Sequence, residues 1–499
     1  MSFVKVQDAK KPLTPNESNG AFPPLEFAVG QLVKRAKLAQ HSWGLKTVKE
    51  RSLALKSFKD ALIAHAEELC LLISQETGKP QYESLLMEFV VVIDLASYFI
   101  KRADKILSRQ KIKLHLLKNR TSYIHYQPRG VVGILSPWNF PMGIPLCQVF
   151  MALIAGNSVV LKPSEKTPKI ALKIKEIYDG LGLPKDLFIV ADGKAKEGQA
   201  LIEAGIDYCI FTGSTDVGRL VAATCAKNLV PCTLELGGKA FAVVCADCDL
   251  ERTAKALVFG AFANSGQVCA SVERVYVHKK VYAELIQLVC RETKKLRQGD
   301  PLTQEVDIGH MTTEQQVLTV EQLLQQAISV GGRILTGGNR LEEKSLYFSP
   351  TVIADCNLSM DLMHKEIFGP VLPLMCVEND DQAVEFSNNS PYGLLGYIFT
   401  KDKAYGRVLA EKMRVGTVMI NDTIITFGAP ETPWGGFGQS GIGFTHGEDG
   451  LKELCQKRHV NEGRFSFSTE LWWFPYKEIW RKRITNMMKK SSWILDLLS

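Results

Sequence analysis

Between residues 131 and 236 the chain reads VVGILSP (131–137), SVVLKPS (158–164), LFIVADG (187–193), YCIFTGS (208–214) and CTLEL (232–236). Amphipathic stretches near 146–155, 169–181, 196–204 and 216–227 separate these runs, with apolar residues at helical spacing. Apolar strands alternating with such helices predict a doubly wound parallel sheet, whose ligands gather at the carboxyl ends of the strands. This is the lobe in which to seek a nucleotide.

Outward from it the pattern changes twice. On the N-terminal side, residues 25–108 have a helical period, punctuated by Gly78 and Pro80. Residues 111–126 switch to alternation, which predicts a hairpin-like β excursion. On the C-terminal side, FAVVCAD (241–247), VERVYVH (272–278), GGRILTGG (331–338), YFSPTVIA (347–354), GPVLPLMC (369–376), GYIFT (396–400) and TVMIN (417–421) resume the strand–helix alternation. The fold class expected is therefore α/β, with two doubly wound lobes and a small β excursion. The first lobe takes 25–110 and 127–236, the second 237–425. Residues 111–126 and 447–465 form bridging strands, 1–24 a flexible arm and 466–499 a basic tail.

The 499 residues exceed what one core serves, consistent with two lobes. A 46% hydrophobic, 23% charged composition is that of an ordinary globular protein, and a net charge of +7 on this length does not imply nucleic acid. Twelve scattered cysteines without repeated spacing suit a reducing, cytoplasmic setting. Cys245 and Cys248 form a lone CxxC with no second ligand pair, so no metal is expected. The N-terminal stretch does not read as a secretory signal. The most apolar run, 85–100, is interrupted by Glu88 and Asp94 and reads as a buried helix.

Six stretches carry chemical potential. PWNFP (137–141) holds Trp138 and Asn139 between two prolines, where the Asn139 amide can donate to a developing oxyanion or simply make a turn. LKPSE offers Lys162, Ser164 and Glu165 at a strand tip, suited to ribose hydroxyls or to a solvated loop. FTGSTDVG sets Gly213, Ser214 and Gly218 at a strand-to-helix turn, where free amides favour a pyrophosphate. Glu235, before a glycine pair, is a general base or a lobe-junction ion pair. FANSGQVCAS (262–271) contains Cys269 among small residues; a thiol there is a nucleophile only if its pKa, about 8.5 when free, is lowered or a base takes its proton. EIFGP presents Glu366 and Phe368, able to hold a second ribose and flank a flat ring.

In this order and at these separations, PWNFP, LKPSE, FTGS, LELGG, GQVC and EIFGP resemble the NAD(P)-dependent aldehyde dehydrogenase superfamily, over nearly everything from residue 25 to 460. The resemblance implies that Cys269 is the nucleophile, Glu235 the base, and Asn139 with the Cys269 backbone N–H the oxyanion hole. It also implies that Lys162 and Glu165 contact the adenosine ribose, that Gly213, Ser214 and Gly218 form the pyrophosphate turn, that Glu366 and Phe368 lie on the nicotinamide side, and that Trp138 and Ser164 also bind the cofactor. The reaction implied is oxidation of an aldehyde to the acid through a thiohemiacetal and a thioester, in a homodimer or homotetramer. Glu165 favours NAD, with NADP the alternative. Gly438 and the extended tail look like the class 3 and fatty-aldehyde branch. The competing readings are an acylating relative that uses coenzyme A, against which Glu235 argues, and an inactive binding protein on the same fold.

Val268 and Ala270 beside the thiol are small and apolar, and no arginine is placed to grip a carboxylate, so an apolar aliphatic or aromatic aldehyde is expected. In the tail, Tyr476, Trp480, Ile484, Met487, Met488, Leu495 and Leu498 fall near helical spacing among Lys and Arg. Such a stripe suits a membrane surface, a partner subunit or the substrate mouth.

Overall fold

A computed structural model describes residues 25–465, 468–470 and 472–490. The expected arm at 1–24, together with Leu495 and Leu498 of the tail, lies outside the described residues.

Three helices, Leu25–Gly44, Val48–Ala64 and Ala66–Thr77, open the described chain. The second is closed at its start by a reciprocal pair: Thr47 Oγ1 accepts from the Glu50 amide and the Glu50 carboxylate accepts from the Thr47 amide. Gly78, at φ +80°, ends the third. A wide π-helical turn, Ser84–Phe89, then runs into the Val90–Ile106 helix. The expectation of a buried helix over 85–100 is only half met. Phe89, Val92 and Leu95 are buried, but Leu86 and Val90 stay exposed because they border an apolar cavity.

The first sheet has the order Gly441–Ile442, Cys232–Glu235, Tyr208–Thr212, Val131–Leu135, Ser158–Lys162, Phe188–Val190, parallel except at the Gly441–Ile442 edge. The chain starts in the middle at Val131–Leu135, winds to one side, then crosses over and returns on the other. The strands on either side of the reversal are Val131–Leu135 and Tyr208–Thr212, and the crevice beyond their carboxyl ends is where such sheets bind ligands. Every residue of Val131–Leu135 is buried, as is every residue of the adjoining Gly143–Ala155 helix.

The second sheet runs Arg333–Thr336, Thr351–Ala354, Val371–Val377, Arg274–His278, Phe241–Val244, Leu395–Phe399, Thr417–Ile420, again parallel but for one edge. Both lobes are thus doubly wound α/β. A third, antiparallel sheet joins Gln110–Ile112, Arg120–Pro128 and Cys455–Gly463, with Cys455 opposite Pro128 and Gly463 opposite Arg120. Gly438 has φ +60°, and a Cβ there would meet Pro391 O at 2.5 Å, so the backbone itself demands glycine at this position.

In the tail, Glu478–Lys490 is helical, and Trp472, Trp473, Phe474, Tyr476 and Trp480 are exposed. Among the described residues no helix is long and apolar enough to cross a membrane. Cys245 and Cys248 are buried free thiols, and no group of three potential metal ligands occurs among the described residues.

Candidate active site

The thiol loop follows the Leu250–Phe262 helix. Asn264 and Ser265 take left-handed φ values of 50° and 53°, costing about 1–2 kcal/mol per residue, so the surroundings must hold them. They do. The Asn264 amide donates to both oxygens of Glu83, at 3.1 and 2.9 Å, and its Nδ2 donates to Asn139 O (3.1 Å) and Gln267 O (3.2 Å). Ser265 Oγ donates to Gly309 O. A Cβ on Gly266 would stand 2.1 Å from Gly369 O, so the loop lies backbone to backbone against the EIFGP turn. Cys269 emerges half-buried where two cavities meet.

The first cavity, about 260 Å³, lies at the switch point of the first sheet and is bordered by Trp138, Asn139, Gly213, Ser214, Glu235, Glu366 and Phe368 as well as Cys269. Asn139 is buried, and its Nδ2 donates to Gln267 O at 3.0 Å. Glu235 ends its strand; Thr445 Oγ1 donates to its Oε1 at 3.4 Å, and its buried Oε2 has no partner among the described residues. Burial holds this carboxyl well above the usual carboxylate range. Phe368, at φ +49°, donates its amide to Glu273 Oε1, as does Ile367, while Glu273 Oε2 pairs with Lys239 at 2.8 Å. Glu366 Oε1 accepts from the Gly238 amide at 3.0 Å, and burial, aided by Glu273, raises this carboxyl too. The Trp138 and Phe368 rings stand edge to face, centroids 5.5 Å apart.

Ser214 caps the Thr215–Lys227 helix, accepting from the Val217 amide, which leaves the helix N-terminus facing this cavity. Gly218 does not border it. A Cβ there would lie 2.3 Å from Leu236 Cδ2, so its glycine lets helix and strand close on each other. Lys162, Ser164 and Glu165 sit one strand further along, also outside the cavity wall. Lys162 Nζ reaches Glu165 Oε2 at 3.5 Å, and Ser164 Oγ accepts from the Lys166 amide.

The second cavity, about 390 Å³, is walled by apolar side chains, including Leu86, Met87, Phe140, Phe259, Ile424 and Phe427. Carboxylates Glu83 and Asp94 border it, and no Lys, Arg or His among the described residues does. Burial pushes the Cys269 thiol up to about 12, with Glu366 and Glu235 adding to the rise. Burial thus favours the neutral thiol over the thiolate.

Sequence reasoning missed Trp434 and Thr445, which border the first cavity beside Glu235. It also missed His446, which burial depresses to about 4 and keeps uncharged. The Gly-rich segment that starts at Trp434 was their only signal.

An open parallel sheet whose crevice lies at the switch point, with a thiol, two protonatable carboxyls and an amide donor beside it, has the form in which doubly wound α/β proteins bind nucleotides. The sequence model of the Aldehyde dehydrogenase family matches residues 26–460. The chain belongs to that family. It is 36% identical over 465 residues to 4,4'-diapolycopene aldehyde oxidase of Methylomonas sp, covering 92% of this chain and 86% of that one. It is 33% identical to a putative NADP(+) succinate-semialdehyde dehydrogenase of Mycolicibacterium smegmatis, covering 86% and 83%. Among solved structures, the Mycobacterium tuberculosis aldehyde dehydrogenase with NAD+ superposes with a TM-score of 0.84 at 31% identity, covering 89% of this chain and 91% of that one. This chain is an aldehyde dehydrogenase, oxidising an aldehyde to the carboxylic acid with NAD(P).

Proposed function

We propose that Cys269 is the nucleophile, Glu235 the base and Asn139 the oxyanion donor for oxidation of an apolar aldehyde. The observation that carries this reading is the thiol's position between a polar cavity and an apolar one. The aldehyde's tail lies in the apolar cavity, which places its carbonyl at the sulfur. Burial raises both thiol and carboxyl, so proton transfer from Cys269 to Glu235 is less uneven than it is in water. Addition of sulfur to the carbonyl carbon makes an alkoxide, which accepts hydrogen bonds from Asn139 Nδ2 and the Cys269 backbone N–H.

The polar cavity fits a dinucleotide: a capped helix N-terminus at Ser214, a crossed pair of aromatic rings, and Glu366 beside a glycine pair where a Cβ on Gly237 would come within 2.9 Å of its carboxylate. NAD(P) held there by the Ser214 turn, Glu366 and Phe368 would supply the hydride acceptor for the former carbonyl carbon. Lys162, Ser164 and Glu165 hold the adenosine ribose, with Glu165 favouring NAD. The acyl group is left on sulfur as a thioester. Glu235 releases the thiol's proton to solvent and takes one from water, the hydroxide attacks the acyl carbon, the carbon–sulfur bond breaks, and the thiolate recovers a proton from Glu235.

Residues 25–110 and 127–236 serve as the cofactor lobe and 237–425 as the catalytic lobe, and the three-stranded sheet carries assembly into a homodimer or homotetramer. The exposed aromatics and cations of the tail suit peripheral contact with a membrane surface. Hexanal supplied to the purified protein with NAD, NADP, or either plus coenzyme A tests the reaction: NADH should form without coenzyme A and faster than NADPH. Strict dependence on coenzyme A would overturn the hydrolytic reading.

A further inference from the structure

Lys79 and Glu88 have no part in the chemistry above, yet both side chains are fully enclosed, joined by a 2.6 Å contact between Lys79 Nζ and Glu88 Oε1. Glu88 Oε2 accepts from the amides of Met142 (2.8 Å) and Gly143 (2.9 Å), donors at a helix start that no intrahelical carbonyl can serve. Lys79 Nζ donates to Asn139 O at 2.7 Å and stands 4.0 Å from the centre of the Phe140 ring. The pair therefore grips the Asn139–Gly143 segment at both ends. A buried ion pair is weak evidence for net stability, because apolar residues of similar volume commonly do as well. What an apolar pair cannot supply is three hydrogen bonds to one loop. Glu88 also lies on the π-helical turn, a geometry frequent at functional sites.

We propose that Lys79 and Glu88 are positioning residues that hold the Asn139 amide where the alkoxide forms. The inference rests on the reading of Asn139 as oxyanion donor. Their effect on the chemical step runs through Asn139, so it falls chiefly on kcat, with little change in the KM of either substrate. A donor misplaced by about 1 Å costs on the order of a hundredfold.

The test is a double-mutant cycle on the full-length enzyme, measuring kcat and both KM values with hexanal and NAD. In the otherwise native chain Lys79→Met should lower kcat by roughly 10- to 100-fold, with each KM within about threefold. In the Asn139→Ala background the same change should cost less than about threefold. Lys79→Met/Glu88→Leu removes both charges together, avoiding a lone buried carboxylate, and should show the same kcat loss with a retained thermal transition. Glu273→Gln breaks the other buried Lys–Glu pair, which holds the Phe368 turn, and should cost the same in both backgrounds. Equal cost of Lys79→Met with and without Asn139 would overturn the proposal while leaving Asn139 its role. If Asn139→Ala alone keeps native kcat, the oxyanion reading falls and the proposal with it.

Discussion

The two cavities that meet at Cys269 are built in opposite ways. The polar one collects the ends of sheet strands and the turns that follow them: Asn139 after Val131–Leu135, Ser214 after Tyr208–Thr212, and Glu235 at the end of its own strand. The apolar one is walled largely by helix faces and loops from distant parts of the chain, such as Leu86, Phe259 and Ile424. On the function proposed above, chemistry common to every aldehyde would fall on the first side, and what distinguishes one aldehyde from another would fall on the second. Substitutions on the two sides should accordingly fail in different ways.

The largest effect is expected at the shared wall. Cys269→Ala should lower NADH formation by about 10⁴-fold or more for every aldehyde, and detectable turnover at a tenth of the native rate would refute the assignment. Next, on the polar side, Glu235→Gln should lower steady turnover by roughly 10²- to 10⁴-fold while one equivalent of NADH per site still appears in a stopped-flow burst. The proposed mechanism needs Glu235 deprotonated as the base and Cys269 as the thiolate nucleophile, and burial raises both, so kcat/KM should climb with pH through the neutral range. A pH-independent profile between 6 and 9 would contradict this.

On the apolar side the change should be in selectivity. Each added methylene in a series of straight-chain aldehydes should raise kcat/KM by about fourfold, from roughly 0.8 kcal/mol per buried CH₂, until the cavity is full. Phe259→Ala should shift the chain length at which the plateau begins, and a flat series in the native enzyme would remove the apolar cavity from the substrate path. The smallest effect concerns Glu83, which ties the thiol loop to the wall of the apolar cavity and which burial raises to about 7. Its stabilising contribution is full below about 4.5, and is lost as pH rises through about 7. Glu83→Gln should therefore flatten the dependence of Tm on pH between 5 and 8 by about 2–4 °C, as read by calorimetry.

The same contrast explains what was legible beforehand. The strands of both lobes announced themselves because parallel strands buried on two faces are continuous apolar runs, and turns at their ends carry glycine and proline. Asn139, Glu235, Cys269, Glu366 and Phe368 could be read because each sits in such punctuation, and the fold brings all five to one cavity. Gly218 could be read as a turn glycine but not as the packing glycine it is, since Leu236 is distant in sequence. The apolar wall was illegible. Leu86 and Phe259 look like any helical hydrophobe, and only three-dimensional assembly leaves them facing a void. Lys79 and Glu88 were hidden for a related reason, since a charge in a helical stretch reads as solvated until its burial is known.

A sulfur held as the neutral thiol is also a sulfur kept out of trouble. Oxidants and alkylating reagents react with the thiolate, and with the proton favoured up to about pH 12 the resting Cys269 offers them very little of it. Eleven other cysteines accompany it, most of them buried, and on the proposed reading the enclosure that favours the neutral thiol would also keep the nucleophile reduced between turnovers.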